Sequence, residues 1–181
     1  MTTPFFKELC EELKLGAIEK GHPFRYFVLG TLGLDNSVGQ RMLVLRQVSP
    51  ELRLTFYTDN RSPKIAQLQN NNTVSGLFYN PTKMTQLRIE GKAIIETNKE
   101  VLKAHWDNVP VKGQKEYNAS KSPGDSINNH NEIEYLSEKN HFSMVHILPD
   151  KMDFLKLGNH YHTRVQFSLV DNEWKGKFSV P

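Results

Sequence analysis

Apolar and polar residues alternate along much of the chain, as they do in β-strands that bury one face. Segment 86–91 is a clear case, since its glutamine, arginine and glutamate alternate with leucine and isoleucine. Clusters of glycine, proline, asparagine and aspartate interrupt the alternation and divide it into short strands. The pattern predicts strands over 25–34, 40–48, 52–58, 73–79, 84–96, 142–148, 151–157, 163–170 and 173–180.

Helical periodicity is confined to a few segments between these strands. Apolar residues recur at helical spacing over 4–19, and the order Ser62-Pro63-Lys64 is typical of a helix start. Further helices are predicted over 98–107, where Thr97 and Glu100 have capping-box spacing, and over 111–119, with a helical turn at 132–139. Residues 120–131 are mostly turn formers and predict a mobile loop.

The order of elements indicates a mainly β domain with flanking helices. Many antiparallel strands joined by short turns favour a closed or nearly closed sheet. The strand pattern alone does not separate a barrel from a sandwich. A chain of 181 residues is long enough for one domain with a sizeable core, so we expect a single domain over 1–181.

Charge and composition narrow the function classes. The formal net charge is +3, and basic residues are interleaved with acidic ones, so we expect a solvated mixed surface and no nucleic-acid partner. No apolar run approaches a membrane span and no secretory signal is evident, which predicts no membrane association. Cys10 is the sole cysteine, which suits a reducing cytoplasm.

Two arginines frame the predicted strand 40–48. Arg41 and Arg46 would project to opposite faces of it, because side chains alternate along a strand. They are either exposed at the strand ends or in contact with a ligand phosphate or ring carbonyl, which a guanidinium binds well through paired hydrogen bonds. The pattern alone leaves both interpretations open.

A second polar group follows the next strand. Ser62 lies at a predicted helix N-terminus, where free backbone N–H groups favour an anion, and Lys64 adds a full charge in the same turn. Alone, they could be a helix cap and a surface lysine. Tyr57, Thr58 and Arg61 lie beside them in the sequence, which favours a phosphate site.

Four segments resemble, in order and spacing, the FMN-binding core of the pyridoxamine 5'-phosphate oxidase-like family. They are Arg41-Met-Leu-Val-Leu-Arg46, Phe56-Tyr-Thr58, Ser62-Pro-Lys64 and Gln86-Leu-Arg-Ile-Glu-Gly91. The resemblance extends from about residue 22 to Pro181 and implies a split β-barrel, antiparallel and Greek-key-like. It also implies non-covalent FMN and a homodimer with the flavin at the subunit interface.

The resemblance implies cofactor contacts for a defined set of residues. The phosphate would lie among an arginine, hydroxyls and a lysine, the first strand would reach the ring through its backbone, and Gln86 would serve the partner's cofactor. The implied FMN-binding residues are Arg41, Val44, Leu45, Arg46, Tyr57, Thr58, Ser62, Lys64, Gln86, Ser122 and Arg164.

The C-terminal segment His160-Tyr-His-Thr-Arg164 resembles the family's Arg-Leu-His-Asp-Arg, which reaches flavin and substrate. His162 is therefore the candidate catalytic residue, as the one titrating side chain expected near the reacting face. A rival interpretation of His160 and His162, on one strand face, is a metal pair. No third ligand has convincing spacing, so we predict no metal.

Several positions depart from the true pyridoxamine phosphate oxidases. The stretch Trp106–Lys112 has no arginine to hold a substrate phosphate, Arg46 replaces a lysine, and Pro63 stands where a second basic residue is usual. The pattern is closer to a cyanobacterial and plant subgroup of unclear substrate. We expect a flavin-dependent oxidoreductase for another small molecule; the alternative is a non-catalytic flavin or tetrapyrrole carrier.

Overall fold

A computed structural model describes residues 2–181. The strands are β1 (Tyr26–Leu32), β2 (Val38–Val44), β3 (Gln47–Val48), β4 (Leu54–Asp59), β5 (Thr73–Asn80), β6 (Thr85–Ile95), β7 (Phe142–Lys156), β8 (Thr163–Val170) and β9 (Glu173–Ser179). The helices are α1 (Thr3–Ile18), α2 (Pro63–Asn70), α3 (Lys99–Asp107) and α4 (Val111–Gln114). Short 3-10 turns occupy Pro23–Arg25 and His130–Glu132.

All the paired strands are antiparallel and belong to one sheet, in the order β2-β1-β5-β6-β7-β4-β3, with β8 paired to β7 and β9 paired to β8. Within residues 2–181, the edge strands β2 and β3 do not pair with each other, so the sheet curls without closing. The predicted mainly β fold with flanking helices is therefore confirmed. Within the same residues, no helix is long and apolar enough to cross a membrane.

An aromatic core fills the curled sheet. Phe27, Phe56 and Phe78 are almost fully buried, and the rings of Phe27 and Phe78 stack with centroids 4.9 Å apart. Leu9 and Leu13 bring α1 against this core. Burial of several such side chains, worth about 1.5–3 kcal/mol each, is the main force that curls the sheet around its inner face.

One buried acid also fastens α1 to the sheet. The Glu12 side chain accepts hydrogen bonds from Asn80 Nδ2 at 2.9 Å and from Lys83 Nζ, and it lies 3.6 Å from His22 Nε2. Glu12 is 1% exposed, so these partners are what make its burial tolerable.

The predicted strand 40–48 is wrong in one respect: it is two strands that pair with different partners. Leu45 N donates to Arg25 O, whereas Arg46 N donates to Thr55 O. The chain therefore crosses from the β1 side of the sheet to the β4 side between two consecutive residues. The periodicity placed Arg41 and Arg46 on one strand, but Arg46 lies outside β2.

The predicted pair of strands 142–148 and 151–157 is one continuous strand, β7. Pro149 pairs with Gly91 and Lys151 with Glu90, so Asp150 is an extra residue that the sheet accommodates as a bulge. A Cβ at Gly91 would lie 2.1 Å from Leu148 O, so only glycine allows this close approach. The proline and aspartate had predicted a turn, but the partner strand absorbs them.

Three helix predictions need adjustment. Asn98, not Thr97, caps α3, because its Oδ1 accepts hydrogen bonds from Glu100 N and Val101 N. The third helix ends at Gln114 rather than at residue 119. The predicted helical turn at 132–139 is wrong: the turn ends at Glu132, and the chain then extends to form a bridge between Tyr135 and Ala119.

Candidate functional site

Lys64 is the centre of a compact polar cluster at the start of α2. Its ammonium group donates to Thr58 Oγ1 at 2.9 Å and to Ser62 Oγ at 2.6 Å. Thr58 and Ser62 are each 5% exposed. The Ser62 side chain makes no capping hydrogen bond to the helix backbone and is turned towards Lys64 instead. The predicted grouping of Thr58, Ser62 and Lys64 is thus present.

Arg41 completes the positive side of this cluster. Its guanidinium donates to Thr31 Oγ1 at 2.6 Å and to Gln67 Oε1 at 3.1 Å, and Gln67 lies one helical turn beyond Lys64 on α2. Burial and, to a smaller extent, repulsion from Arg41 lower the pKa of Lys64 to about 8, against an opposing effect of Asp59. Two cations are therefore held close together in a partly desolvated place.

The nearby acid Asp59 is already engaged elsewhere. Asp59 is 4% exposed, and its carboxylate accepts hydrogen bonds from Arg61 N, Nε and Nη2 at 2.8, 3.1 and 2.7 Å. Arg61 also donates to the carbonyl oxygens of Ala119, Ser120 and Lys121. Arg61 therefore ties residues 119–121, at the start of the 120–131 loop, to β4. Because Asp59 pairs with Arg61, Lys64 forms no ion pair within residues 2–181.

The donor set fits a phosphate. Two cations, two hydroxyls and the N-terminus of an eight-residue helix converge, and each favours a dianion with several acceptor oxygens. Burial and Arg41 disfavour the charged form of Lys64, and the negative charge of a bound phosphate would offset both effects. The FMN phosphate implied by the sequence resemblance is therefore compatible with Arg41, Thr58, Ser62 and Lys64.

A separate cleft of about 320 Å³, here named the Tyr57 cleft after one of its lining residues, lies on the face of the sheet that α3 and α4 cover. Arg46 is stacked on the Tyr57 ring with its Cζ 5.3 Å from the centroid, and Tyr57 Oη shares a 3.0 Å hydrogen bond with His105 Nδ1. Burial raises the pKa of the Tyr57 hydroxyl. Arg46 Nε is buried and has no hydrogen-bond partner within the described residues. Tyr117 and Glu116 line the opposite side.

Val44 and Leu45 occupy the crossing between the two halves of the sheet. Leu45 is fully buried in the core, so its side chain is not accessible to a ligand. Val44 ends β2 opposite Tyr26 and is half-buried. Any cofactor contact at Leu45 must use the main chain, as the resemblance implies for this strand.

Gln86 and Arg164 lie in one cross-strand row, on either side of Leu155. This row belongs to the outer face of the sheet, whereas Arg41 and Thr31 are on the inner face. Arg164 donates to Asp153 Oδ2 at 2.7 Å and to Oδ1 at 2.9 Å. Burial of Asp153 opposes its ionisation, but hydrogen bonds from Arg164 and Gln166 outweigh it and lower the pKa of Asp153. The chain does not bring Gln86 and Arg164 to the Lys64 cluster.

His162 is exposed in the link between β7 and β8, where its Nδ1 accepts a 3.3 Å hydrogen bond from Gly158 N. Ser143, opposite Thr58, is the second residue of β7, and the link follows the other end of that strand, so nearly the whole length of β7 separates His162 from the cluster. β8 begins only at Thr163. The premise of a metal pair was therefore wrong, because His160 and His162 do not share a strand face.

Ser122 lies in the loop that Arg61 tethers. Its backbone N donates to Asp125 Oδ2 at 2.8 Å. A Cβ at Gly124 would lie 3.8 Å from Pro63 Cγ, which shows that the loop packs against the start of α2. Ser122 is thus near the first turn of that helix, and the mobility of residues 120–131 stays a prediction.

Sequence reasoning missed Thr31, Gln67 and His105. Thr31 stands on a different strand and meets Arg41 only through β1–β2 pairing. Gln67 had a usable signal, because it follows Lys64 by three residues on a predicted helix and so shares its face. His105 had none, since nothing in the local pattern distinguishes it from a surface residue of α3.

Comparison with solved structures identifies the fold. A pyridoxamine 5'-phosphate oxidase-related, FMN binding protein from Nostoc punctiforme has a TM-score of 0.80 at 21% identity, covering 98% of this chain and 97% of its own. PhzG from Burkholderia lata 383, in complex with tetrahydrophenazine-1-carboxylic acid, has a TM-score of 0.78 at 19% identity, with 99% and 92% covered. At these identities the likeness shows the fold alone, which is the split barrel.

Two sequence comparisons identify the family. A curated Caenorhabditis elegans protein named "Putative pyridoxamine 5'-phosphate oxidase" is 35% identical over 83 residues, which are 46% of this chain and 36% of that protein. The chain thus matches only about a third of that relative's length. The model of the family described as pyridoxamine 5'-phosphate oxidase, FMN-binding domain, matches residues 3–97, just over half of the chain. The chain belongs to this pyridoxamine 5'-phosphate oxidase FMN-binding domain family.

Proposed function

We propose that the protein binds FMN non-covalently and uses it to oxidise or reduce a small molecule. The observation that carries this proposal is the Lys64 cluster, in which a partly desolvated ammonium group and Arg41 face two buried hydroxyls and form no ion pair within residues 2–181. Such a site is unfavourable alone and becomes favourable when a phosphate dianion enters it. Family membership supports FMN as the phosphate-bearing ligand.

Bound FMN would supply the redox chemistry, and the chain's residues would position it. Arg41 and Lys64 would neutralise the phosphate, and Thr58 and Ser62 would orient its oxygens. The main chain at Val44–Leu45 extends from this cluster towards the Tyr57 cleft. Arg46 and Tyr57 would then lie beside the ring, with the guanidinium available to stabilise negative charge on it.

We propose further that the active unit is a homodimer. Gln86, Arg164 and the candidate catalytic His162 are far from the Lys64 cluster in one chain, so they can reach a flavin only from a second copy. The outer face of the sheet supports this, because it exposes apolar side chains: Met42 is 62% exposed and Tyr79 47%. Exposed apolar surface of this kind marks interaction sites. Light scattering that finds monomers with full FMN affinity would refute the dimer.

The cleft beside Tyr57 suggests a substrate other than pyridoxamine 5'-phosphate. Among the residues that the structure describes, Arg46 is the one arginine or lysine that lines it, and Glu116 lines it too. A phosphate dianion would meet one guanidinium and a carboxylate, which is a poor grip compared with several cations. The aromatic walls, Tyr57 and Tyr117, favour a planar substrate with at most one negative charge.

The absorption spectrum of the purified protein, as isolated and after reconstitution with FMN, is the direct test of cofactor binding. We expect the flavin bands and one FMN per chain after gel filtration. A protein that stays colourless after reconstitution would refute the proposal, and a haem spectrum would indicate the tetrapyrrole carrier instead.

Steady-state assay of the FMN-loaded protein with pyridoxamine 5'-phosphate and oxygen tests the substrate proposal. We expect slow or no turnover, because the binding energy that would position the substrate is missing. A kcat/KM of about 10⁴ M⁻¹s⁻¹ or more, at the lower end of the usual enzyme range, would show that this is a true substrate. We also propose that the protein works in a reducing cytoplasm, as expected from its lone cysteine, Cys10.

A further inference from the structure

A second cleft of about 400 Å³ lies between the C-terminal half of α1 and the β3–β4 hairpin, away from the Lys64 cluster. We name it the basic cleft and define it by its charged and hydroxyl-bearing lining residues, Lys14, Arg46, Ser49, Arg53 and Thr55. Its other lining residues are Ala17, Ile18, Gln47 and Val48, so no carboxylate from the described part of the chain lines it. None of the proposed cofactor contacts other than Arg46 lies in it.

The three cations come from three different parts of the fold. Lys14 projects from α1, Arg46 from the crossing between β2 and β3, and Arg53 from the turn that leads into β4. Within residues 2–181, none of them forms an ion pair. The acid nearest to Arg53 in the sequence is Glu51, which does not line the cleft. The pKa of the Glu51 carboxyl is lowered mainly by a hydrogen bond from Ser49 and to a smaller extent by the charge of Arg53.

The floor of the cleft is ordered. Thr55 is 2% exposed, and its Oγ1 shares a 2.8 Å hydrogen bond with His146 Nδ1. His146 Nε2 lies 3.3 Å from Glu96 Oε2, which fixes the ring from its other side. Arg46 N donates to Thr55 O at 2.8 Å, so the backbone that carries the guanidinium is anchored to the same strand.

Arg46 has unused hydrogen-bonding capacity. Its Nε is buried without a partner within the described residues, although an unsatisfied buried donor of this kind costs free energy. Arg46 lines both the basic cleft and the Tyr57 cleft. Only an acceptor that reaches this Nε would remove that cost.

We propose that the basic cleft is a binding site for a small phosphorylated molecule, held by Lys14, Arg46 and Arg53. Three cations line this one cleft, with no acidic side chain in its lining among residues 2–181, which matches a multiply charged anion. Two of them are arginines, which bind phosphate oxygens in a forked geometry. The volume admits more than inorganic phosphate. This site is independent of the proposed flavin site, apart from the shared Arg46.

Titration calorimetry with inorganic pyrophosphate tests this site. In the variant Lys64→Ala, whose other anion site is disabled, we expect saturable binding of one pyrophosphate per chain at moderate ionic strength. Adding Lys14→Ala/Arg53→Ala to this variant should weaken that binding about tenfold or more. This result does not depend on whether FMN binds.

The matched control is Lys7→Ala/Lys20→Ala, which removes the same charge from exposed positions on and just after α1 that do not line the cleft. Equal weakening by both double variants would reduce the effect to net charge and overturn the proposal. Loss of binding in Lys64→Ala would place pyrophosphate at the Lys64 cluster and overturn it as well. Citrate binding as tightly as pyrophosphate would refute the assignment to phosphate.

Discussion

Replacing Lys64 by alanine should weaken FMN binding much more than riboflavin binding. The ammonium group is held by Thr58 and Ser62 where a phosphate would lie, and riboflavin lacks the phosphate. A charge-assisted hydrogen bond contributes about 1.5–3 kcal/mol, which corresponds to a loss of about ten- to a hundredfold in FMN affinity. Arg41 remains in Lys64→Ala, so we do not expect the phosphate contribution to vanish.

Without ligand, the variant Lys64→Ala should remain folded, because the positive charge that it removes is unfavourable at this buried position. Burial and Arg41 lower the pKa of Lys64 to about 8, which means that the fold disfavours its charged form. Lys92→Ala is the matched control, since Lys92 Nζ also donates to a threonine hydroxyl, Thr73 Oγ1 at 2.7 Å, but on the exposed surface. Fluorescence titration of both flavins against both variants gives the comparison. Equal losses of FMN and riboflavin affinity in Lys64→Ala would refute the phosphate site.

Three further outcomes are expected. FMN affinity should fall as the pH rises above about 8, because the ligand-free protein then loses the Lys64 proton that the phosphate needs. The ligand-free protein itself should gain stability between about pH 8 and the ordinary lysine pKa of 10.5, because the unfolded chain binds that proton more tightly. An FMN affinity that does not change with pH in fluorescence titrations would contradict the first expectation. Glu12→Ala should cost about 1–3 kcal/mol in urea unfolding, because Asn80 loses its buried acceptor, and an unchanged midpoint would refute that role. Leu77→Arg on the outer face should convert dimers to monomers in light scattering and lower FMN affinity, and an intact dimer would exclude that face as the interface.

Local patterns identified most elements of this chain. Alternation over Gln86–Gly91 predicted β6 and its polar outer face, and Ser62-Pro63 marked the start of α2 within one residue. The ordered segments from Arg41 to Gly91 also indicated the family, and the cofactor contacts they imply stay predictions. These features are encoded locally because side-chain alternation, helix capping and proline geometry depend on near neighbours in the chain.

Tertiary structure decided what distant segments do to one another. The break between β2 and β3 follows from Leu45 and Arg46 bonding to opposite neighbours, and the continuity of β7 through Pro149 follows from a glycine on its partner strand. The same holds for the site: Thr31 and Gln67 join Arg41 only through strand pairing and helix docking, and the lowered pKa of Lys64 arises from burial. Sequence fixes which groups are available, but desolvation and long-range pairing exist only once the chain has folded.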